Sequence, residues 1–501
     1  MYFSCKLRFF FIVSLSTLLT ACMVGPNFHP PASPSVHSFT EKPLPAKTAS
    51  TKNLGSAGKA QEYISNQNIP AEWWYLFHSP TINSLVNTGL ANNPGLGAAY
   101  AALRVAEQNF NAGVGNLLFP AFNAQLGGQR QLFSAASIGS TNTTTGSTLF
   151  NLFNAGVNVT YTLDLFGGSR RQIEALGAQV DYQQFQLIAA YLTLTSNIVT
   201  TAVTIAALEA EIEATRSLLH DEEEVLYILK QQYRLGGISE QNLLQQETLA
   251  SQTAATIPPF EKSLSQNKHA LAALIGTFPD QPLPKMKLNA IHLPHFLPVS
   301  VPSNLVRQRP DVRASEALVH AASAQIGVAT ANMLPQFAIT GNYGWEAITP
   351  STLFGTSTNV WSIAGQFTQP VFHGGALLAQ RRGAIAAYDQ AFDQYKQTAL
   401  QAFQNVADSL RALETDARTL KYQRAAEVAA EKALHLTQAQ YRLGGVNYLA
   451  LLIVQQQYHQ TLVARIQAQA TRYTDTVALY QSLGGGWWNN EWCTKQCLFE
   501  K

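Results

Sequence analysis

The residues best equipped for chemistry in this 501-residue chain stand near its two ends. Leu19-Thr20-Ala21-Cys22 puts small residues directly before a cysteine, behind a basic start (Lys6 and Arg8) and an apolar stretch over 9–19. That order reads as a signal peptide over 1–21 cleaved at a lipoprotein box, and the stretch is too short for a stop-transfer helix. The Cys22 thiol would take a diacylglycerol and the freed amine a further acyl group; several chains anchor stably where one does not. Cys5 leaves with the signal, so Cys493 and Cys497 remain, four positions apart. In an exported chain they permit a local disulfide and are equally compatible with two free thiols. His292 and His295 lie in a proline-rich stretch with no carboxylate cluster beside them, which is not a metal pattern. Asp221-Glu222-Glu223-Glu224 reads as the solvated face of a long helix. No nucleophile elbow, phosphate loop or pair of catalytic carboxylates is present. No enzyme, cofactor or catalytic residue is expected.

Composition narrows the classes further. With 33 basic and 31 acidic residues the net charge is +2, and nothing points to nucleic acid. Charged residues make up 13% and apolar ones 46%, yet beyond the N-terminus no unbroken apolar run reaches 18 residues. A role in a membrane would therefore need β-strands.

The chain is written twice. Tyr233-Arg234-Leu235-Gly236-Gly237 returns as Tyr441-Arg442-Leu443-Gly444-Gly445, 208 positions later. Asn93-Pro94 matches Arg309-Pro310, Phe119-Pro120 matches Leu334-Pro335, and Phe166-Gly167-Gly168 matches Phe372-His373-Gly374-Gly375, at offsets of 206 to 216. Each half reads helix, strand, loop, strand, long helix, turn, long helix. The expected layout is a tether over 22–69, a first repeat over 70–278, a linker over 279–302, a second repeat over 303–484 and a tail over 485–501. Strands are expected at 118–132, 151–166, 335–346 and 360–372, and long helices at 169–235, 238–275, 376–443 and 446–483.

The strands carry period-two alternation. Phe153, Ala155, Val157, Val159, Tyr161 and Leu163 fall on one face, with Asn154, Gly156, Asn158, Thr160 and Thr162 on the other. About ten residues of apolar-out, small-polar-in is the pattern of lipid-facing barrel strands around a wet lumen. The loop over 134–148 holds nine Ser or Thr in 15 residues, and 349–359 is similar, as suits an outer barrel mouth. The long helices suit a tubular assembly rather than a small globule, since 67 residues over 169–235 without proline would run roughly 100 Å. In the return helix only Pro258-Pro259 breaks the run, and Gly236-Gly237 and Gly444-Gly445 look like hairpin tips. Four strands cannot close a barrel, for which about eight is the minimum, so the chain must oligomerise. Two copies would make a barrel plugged by its own side chains; the small lumen-side residues favour three.

Taken in order, these blocks resemble the outer-membrane efflux protein family of TolC and OprM, in its NodT-like lipoprotein branch. The resemblance rests on Cys22-Met23-Val24-Gly25-Pro26-Asn27-Phe28, Trp73-Trp74-Tyr75-Leu76-Phe77, Asn92-Asn93-Pro94, Arg309-Pro310-Asp311-Val312-Arg313-Ala314-Ser315-Glu316, both Tyr-Arg-Leu-Gly-Gly turns and Leu483-Gly484-Gly485-Gly486-Trp487. It implies a membrane α+β fold, mainly α: a homotrimer with a transmembrane β-barrel above a periplasmic α-helical barrel. It further implies a passive duct for drugs or other toxic amphiphiles, lipid-anchored in the outer membrane. Its expected partners are a periplasmic adaptor (a membrane fusion protein) and an inner-membrane pump of the resistance-nodulation-division type.

The family closes its periplasmic end by helix hairpins, often with a carboxylate ring. Where it has Leu-Leu-Asp-Ala-Gln this chain has Leu451-Leu452-Ile453-Val454-Gln455, and Asp-Leu-Leu-Gln becomes Asn242-Leu243-Leu244-Gln245. Leu449, Ile453 and Asn242 are therefore the aperture candidates, with an apolar constriction that gates by dewetting in place of an acidic ring. The alternative is that Leu449 and Ile453 simply pack between helices. Adaptor docking falls by resemblance on Arg234, Leu235, Gly236, Arg442, Leu443 and Gly444, although the arginines could also only cap their helices. A type I protein-secretion duct uses the same fold and is the runner-up reading.

Overall fold

The computed structural model describes residues 23–36, 38–65, 67–133, 148–300 and 302–489. The expected signal peptide, Cys22, most of the expected loop over 134–148, Cys493 and Cys497 lie outside the described residues. In chain order the elements begin with β1 (Glu62–Ser65), ahead of the first repeat, then α1 (Pro80–Asn92), α2 (Pro94–Leu118), β2 (Ala121–Phe133), β3 (Thr148–Leu163), α3 (Gly168–Arg234) and α4 (Glu240–Leu274). Then follow β4 (Phe296–Val299), α5 (Pro302–Gln308), α6 (Pro310–Ala331), β5 (Gln336–Ala347), β6 (Asn359–Thr368), α7 (Ala376–Arg442) and α8 (Tyr448–Ser482). The chain divides into two compact units.

The first unit gathers Met1–Pro31, Leu103–Gln183 and Ser315–Tyr395. Its centre is an antiparallel sheet in the order β2-β3-β5-β6, so each repeat contributes one hairpin and the repeats join along β3 and β5. Directly paired residues share a face in an antiparallel sheet. The register sets Phe122 against Val159, Val157 against Tyr343, and Tyr343 against Trp361. The apolar side chains of all four strands thus fall on one face, and Phe122, Leu126, Ile339, Trp361, Ile363 and Phe367 stand exposed there. The opposite face carries Asn123, Asn158, Asn342 and Ser362 in a single cross-strand row. At the end of β3 the Asp164 carboxylate accepts from the backbone N–H of Ser169 and Arg170, both at 3.0 Å, and so caps α3.

The second unit gathers Ala32–Ala102, Gln184–Ala314 and Lys396–Lys501. Trp73 and Trp74 are fully buried, and Trp73 stacks on Tyr480 with ring centroids 5.5 Å apart. Arg309 Nη1 donates to the Ser482 carbonyl at 3.0 Å, holding the end of α8 where positive charge suits the dipole. α3 contains a window apolar enough to cross a membrane by length and composition, yet 56% of it is buried in the fold. This qualifies the expectation of no long apolar run: the window interleaves small polar residues and serves a core.

Two expectations need correction here. The tether over 22–69 and the linker over 279–302 look loose in composition, but β1 and β4 pair as a parallel ribbon. The buried guanidinium of Arg472 holds the segment that leads into β1. It donates to the carbonyls of Ala57 and Lys59, to Gln61 Oε1 and to Thr48 Oγ1, satisfying a backbone that would otherwise need water. That long-range contact leaves no trace in local composition. The second correction concerns Pro258 and Pro259, which lie inside α4 rather than breaking it. Both prolines are exposed, as is Ala255, one of the residues whose carbonyl loses its helical partner, so water can take the freed group.

Candidate functional site

Both long-helix pairs turn through the same device. After α3 the backbone of Gly236 is left-handed (φ 72°), and the Gly237 N–H reaches back to the Gln232 carbonyl at 2.8 Å. After α7, Gly444 (φ 75°) and the Gly445 N–H to Gln440 O bond at 2.8 Å repeat it. A side chain with a Cβ would strain that conformation, which is why each stop is written in glycine. The next helices start from matched caps, Ser239 accepting from the Asn242 N–H and Asn447 from the Ala450 N–H.

The turns leave their preceding residues uncovered. Leu235 is 86% exposed and Leu443 87%, and Arg234, Gly236, Arg442 and Gly444 are exposed beside them. Apolar side chains so bare, repeated at both turns, bury against nothing among the described residues.

Behind the turns, α4 and α8 flank a groove of about 590 Å³. Leu449 and Ile453 line it from α8, half-exposed, opposite Leu244, Gln241 and Thr248 of α4. Leu244 escapes the sequence reading, which marks the lost aspartate position at Asn242; nothing local in the sequence shows that Leu244 faces α8. Asn242 sits apart from these residues; its backbone N–H is spent on the Ser239 cap and it is not part of the groove wall. The structure therefore brings Leu449 and Ile453 to one groove wall and leaves Asn242 off it, because Asn242, two residues from Leu244, falls on a different face of its helix.

A buried polar cluster lies beside the apolar core of Leu229, Leu434, Tyr448, Leu451 and Leu452. Gln246 Nε2 donates to the Glu222 carbonyl at 2.8 Å, and the Tyr448 hydroxyl donates to Gln246 Oε1. The Glu222 side chain is wholly buried, and neither carboxyl oxygen meets a hydrogen-bond partner among the described residues. Burial pushes its pKa up to about 7; the Thr253 side chain opposes the shift and the Asp221 charge adds to it. Burial likewise raises Tyr448 and lowers His459. The expectation that residues 221–224 form a solvated face thus fails at one position. Glu222 is four residues after Leu218 and three and seven before Val225 and Leu229, so helical phase turns it inward while Asp221, Glu223 and Glu224 stay exposed.

His292 and His295 are placed apart in role: the His292 N–H donates to the Phe77 carbonyl at 2.9 Å, and the His295 ring lies 3.7 Å from Glu62. Among the described residues no group of three or more His, Cys, Asp or Glu could hold a metal ion. The arrangement at the turns offers apolar side chains, cations and an open groove, with no nucleophile set against a base.

Comparisons with known proteins show the family of the chain. The model of the outer membrane efflux protein family matches residues 85–277 and 301–485, one segment in each repeat. The pyoverdine export outer membrane protein OpmQ of Pseudomonas aeruginosa is 27% identical over 419 residues, covering 83% of this chain and 87% of that protein. Nodulation protein T of Rhizobium leguminosarum bv. viciae is 28% identical over 483 residues, covering 94% and 92%. The solved outer-membrane channel OprN superposes with a TM-score of 0.81 at 26% identity, covering 93% of this chain and all of that one. Members of the family are channel proteins of the outer membrane, not enzymes. Duplicated hairpins joined in one sheet, matched glycine turns and a family match over both repeats lead to one statement: the chain belongs to the outer membrane efflux protein family.

Proposed function

We propose that three copies of the chain close their sheets into one twelve-stranded barrel, continued by an α-helical barrel in the periplasm, as the passive exit duct of a tripartite efflux system. The observation that carries this reading is the sheet itself. β2 and β6 end the strand order, and the face they share is apolar and exposed. In lipid an open edge would cost several kcal/mol for each unpaired N–H or C=O, so closure with further copies is the economical solution. The small polar residues of the other face leave a bore rather than a plug. Cys22, acylated, anchors each copy to the membrane. The periplasmic adaptor docks on Arg234, Leu235, Gly236, Arg442, Leu443 and Gly444, and an inner-membrane pump of the resistance-nodulation-division type supplies the energy. Drugs or other small toxic amphiphiles are the cargo. Deleting the gene should raise drug accumulation and lower minimum inhibitory concentrations, with rescue by wild type. Unchanged sensitivity together with loss of a protein from the medium would replace this reading with protein secretion.

Leu449 and Ile453 form the periplasmic aperture, an apolar constriction. Ile453→Asp should raise cation preference in bilayer recordings several-fold by adding three carboxylates to the narrowest ring; an unaltered reversal potential would mean that the two side chains only pack. Reversing charge at the turns, with Arg234→Glu and Arg442→Glu together, should abolish drug resistance while leaving the oligomer intact. Full resistance in that variant would place the adaptor elsewhere.

A further inference from the structure

We infer that residues 23–28 are a clamp that holds the acylated N-terminus at the rim of the sheet, and that Arg171 and Gly25 are its positioning residues. The inference rests on the proposed acylation of Cys22. It arises from the first unit, where the start of the described chain is gripped rather than trailing. The Val24 N–H donates to the Phe166 carbonyl at 3.1 Å, pinning the segment at the junction where β3 gives way to α3. Arg171, on the first turn of α3, is 1% exposed. Its Nε donates to the Val24 carbonyl at 3.1 Å, and Nη2 to Asn27 Oδ1 at 2.7 Å and to the Gly25 carbonyl at 3.4 Å. Its charge is met by Glu174 at 2.7 Å, which also faces His320 at 3.0 Å. Phe28 closes the segment by stacking on the His320 ring, centroids 4.4 Å apart.

Glycine makes the approach possible. Gly25 is left-handed (φ 91°), and a Cβ there would stand 2.4 Å from the Gly327 Cα; a Cβ on Gly327 would stand 2.7 Å from Arg171 Cγ and 2.9 Å from the Val24 carbonyl oxygen. Met23 seats against Gly167, whose added Cβ would lie 2.6 Å from Met23 Cγ. The second repeat has the same strand-to-helix turn at Gly374 and Gly375, yet there an added Cβ would meet nothing within 4 Å. The turn recurs by duplication, and among the described residues the first copy alone has an occupant. Cys22 is one peptide unit, about 3.8 Å, from Met23. The clamp thus sets the lipid beside the end of a membrane strand, at the level where acyl chains enter the bilayer, instead of leaving it on a free tether.

The test uses the full chain in outer membranes, as wild type and as Gly25→Val, a change outside the sheet and helices that would push the segment off Gly327. Intact mass reports the acyl chains, limited proteolysis reports the accessibility of residues 23–36, and a thermal melt reports the rest of the fold. The clamp predicts the same acylated mass, an unchanged melt and cleavage over 23–36 roughly tenfold faster in Gly25→Val. Arg171→Met should free the same segment. Equal protection in the acylated variant would overturn the clamp, and so would a loss of melting temperature in step with cleavage, which would make Gly25 a general packing residue. A wild-type mass without acyl chains would instead overturn the acylation on which the inference rests.

Discussion

Arginine in place of Ile363 should remove the protein from the outer membrane, whereas arginine in place of Ser362, the next residue, should leave it there. Successive side chains of a strand point to opposite faces, and Ile363 is 77% exposed on the apolar face while Ser362 belongs to the cross-strand asparagine row. A charge on the lipid face at mid-bilayer costs roughly 2–4 kcal/mol per chain, and a threefold assembly bears it three times. A charge in the lumen meets water and costs little. The check is the amount of oligomer extracted from outer membranes for the two variants. Equal loss would mean that the apolar face is an ordinary protein core; equal retention would mean that the sheet never enters lipid.

Glu222→Gln should stabilise the helical unit in a strongly pH-dependent way. In the fold the carboxyl pKa is about 7, against an ordinary value of 4.5. Folding therefore favours the protonated form: its penalty is absent below the unfolded pKa, grows as pH rises between the two values and is complete above the folded one. The full penalty is about 3 kcal/mol. The variant and wild type should unfold alike at pH 4.5 or below, and diverge steadily up to pH 8 with the variant more stable. His459, whose burial works in the opposite sense at low pH, is present in both and cancels in the difference. A constant difference across the range would show that Glu222 stays charged in the fold.

Much of the architecture is legible in the sequence because it is periodic. Alternation across 153–163 marks a strand with one apolar and one polar face, and the twin Tyr-Arg-Leu-Gly-Gly turns mark where long helices must reverse. The exposed turn residues follow from the same signal. What escapes is set by contacts distant in sequence. The β1–β4 ribbon joins segments more than 200 residues apart, and the chain leading into it is held by Arg472, more than 400 residues from the carbonyls it binds. Glu222 hides in an acidic run whose other members are solvated, and only the phase of Leu218, Val225 and Leu229 distinguishes it. Leu244, facing Leu449 and Ile453 across the groove, is invisible to an alignment of turns, since its role depends on how α4 lies beside α8. The clamp on residues 23–28 is likewise a meeting of three chain segments, and composition alone reads that stretch as a tether.

The most direct measurement of the central claim is the native mass of the protein extracted from outer membranes in mild detergent. Three chains per particle, each bearing its acyl groups, is the predicted result. One chain would leave the edges of β2 and β6 open in lipid, and two would make a barrel filled by its own side chains, so either mass would contradict the duct.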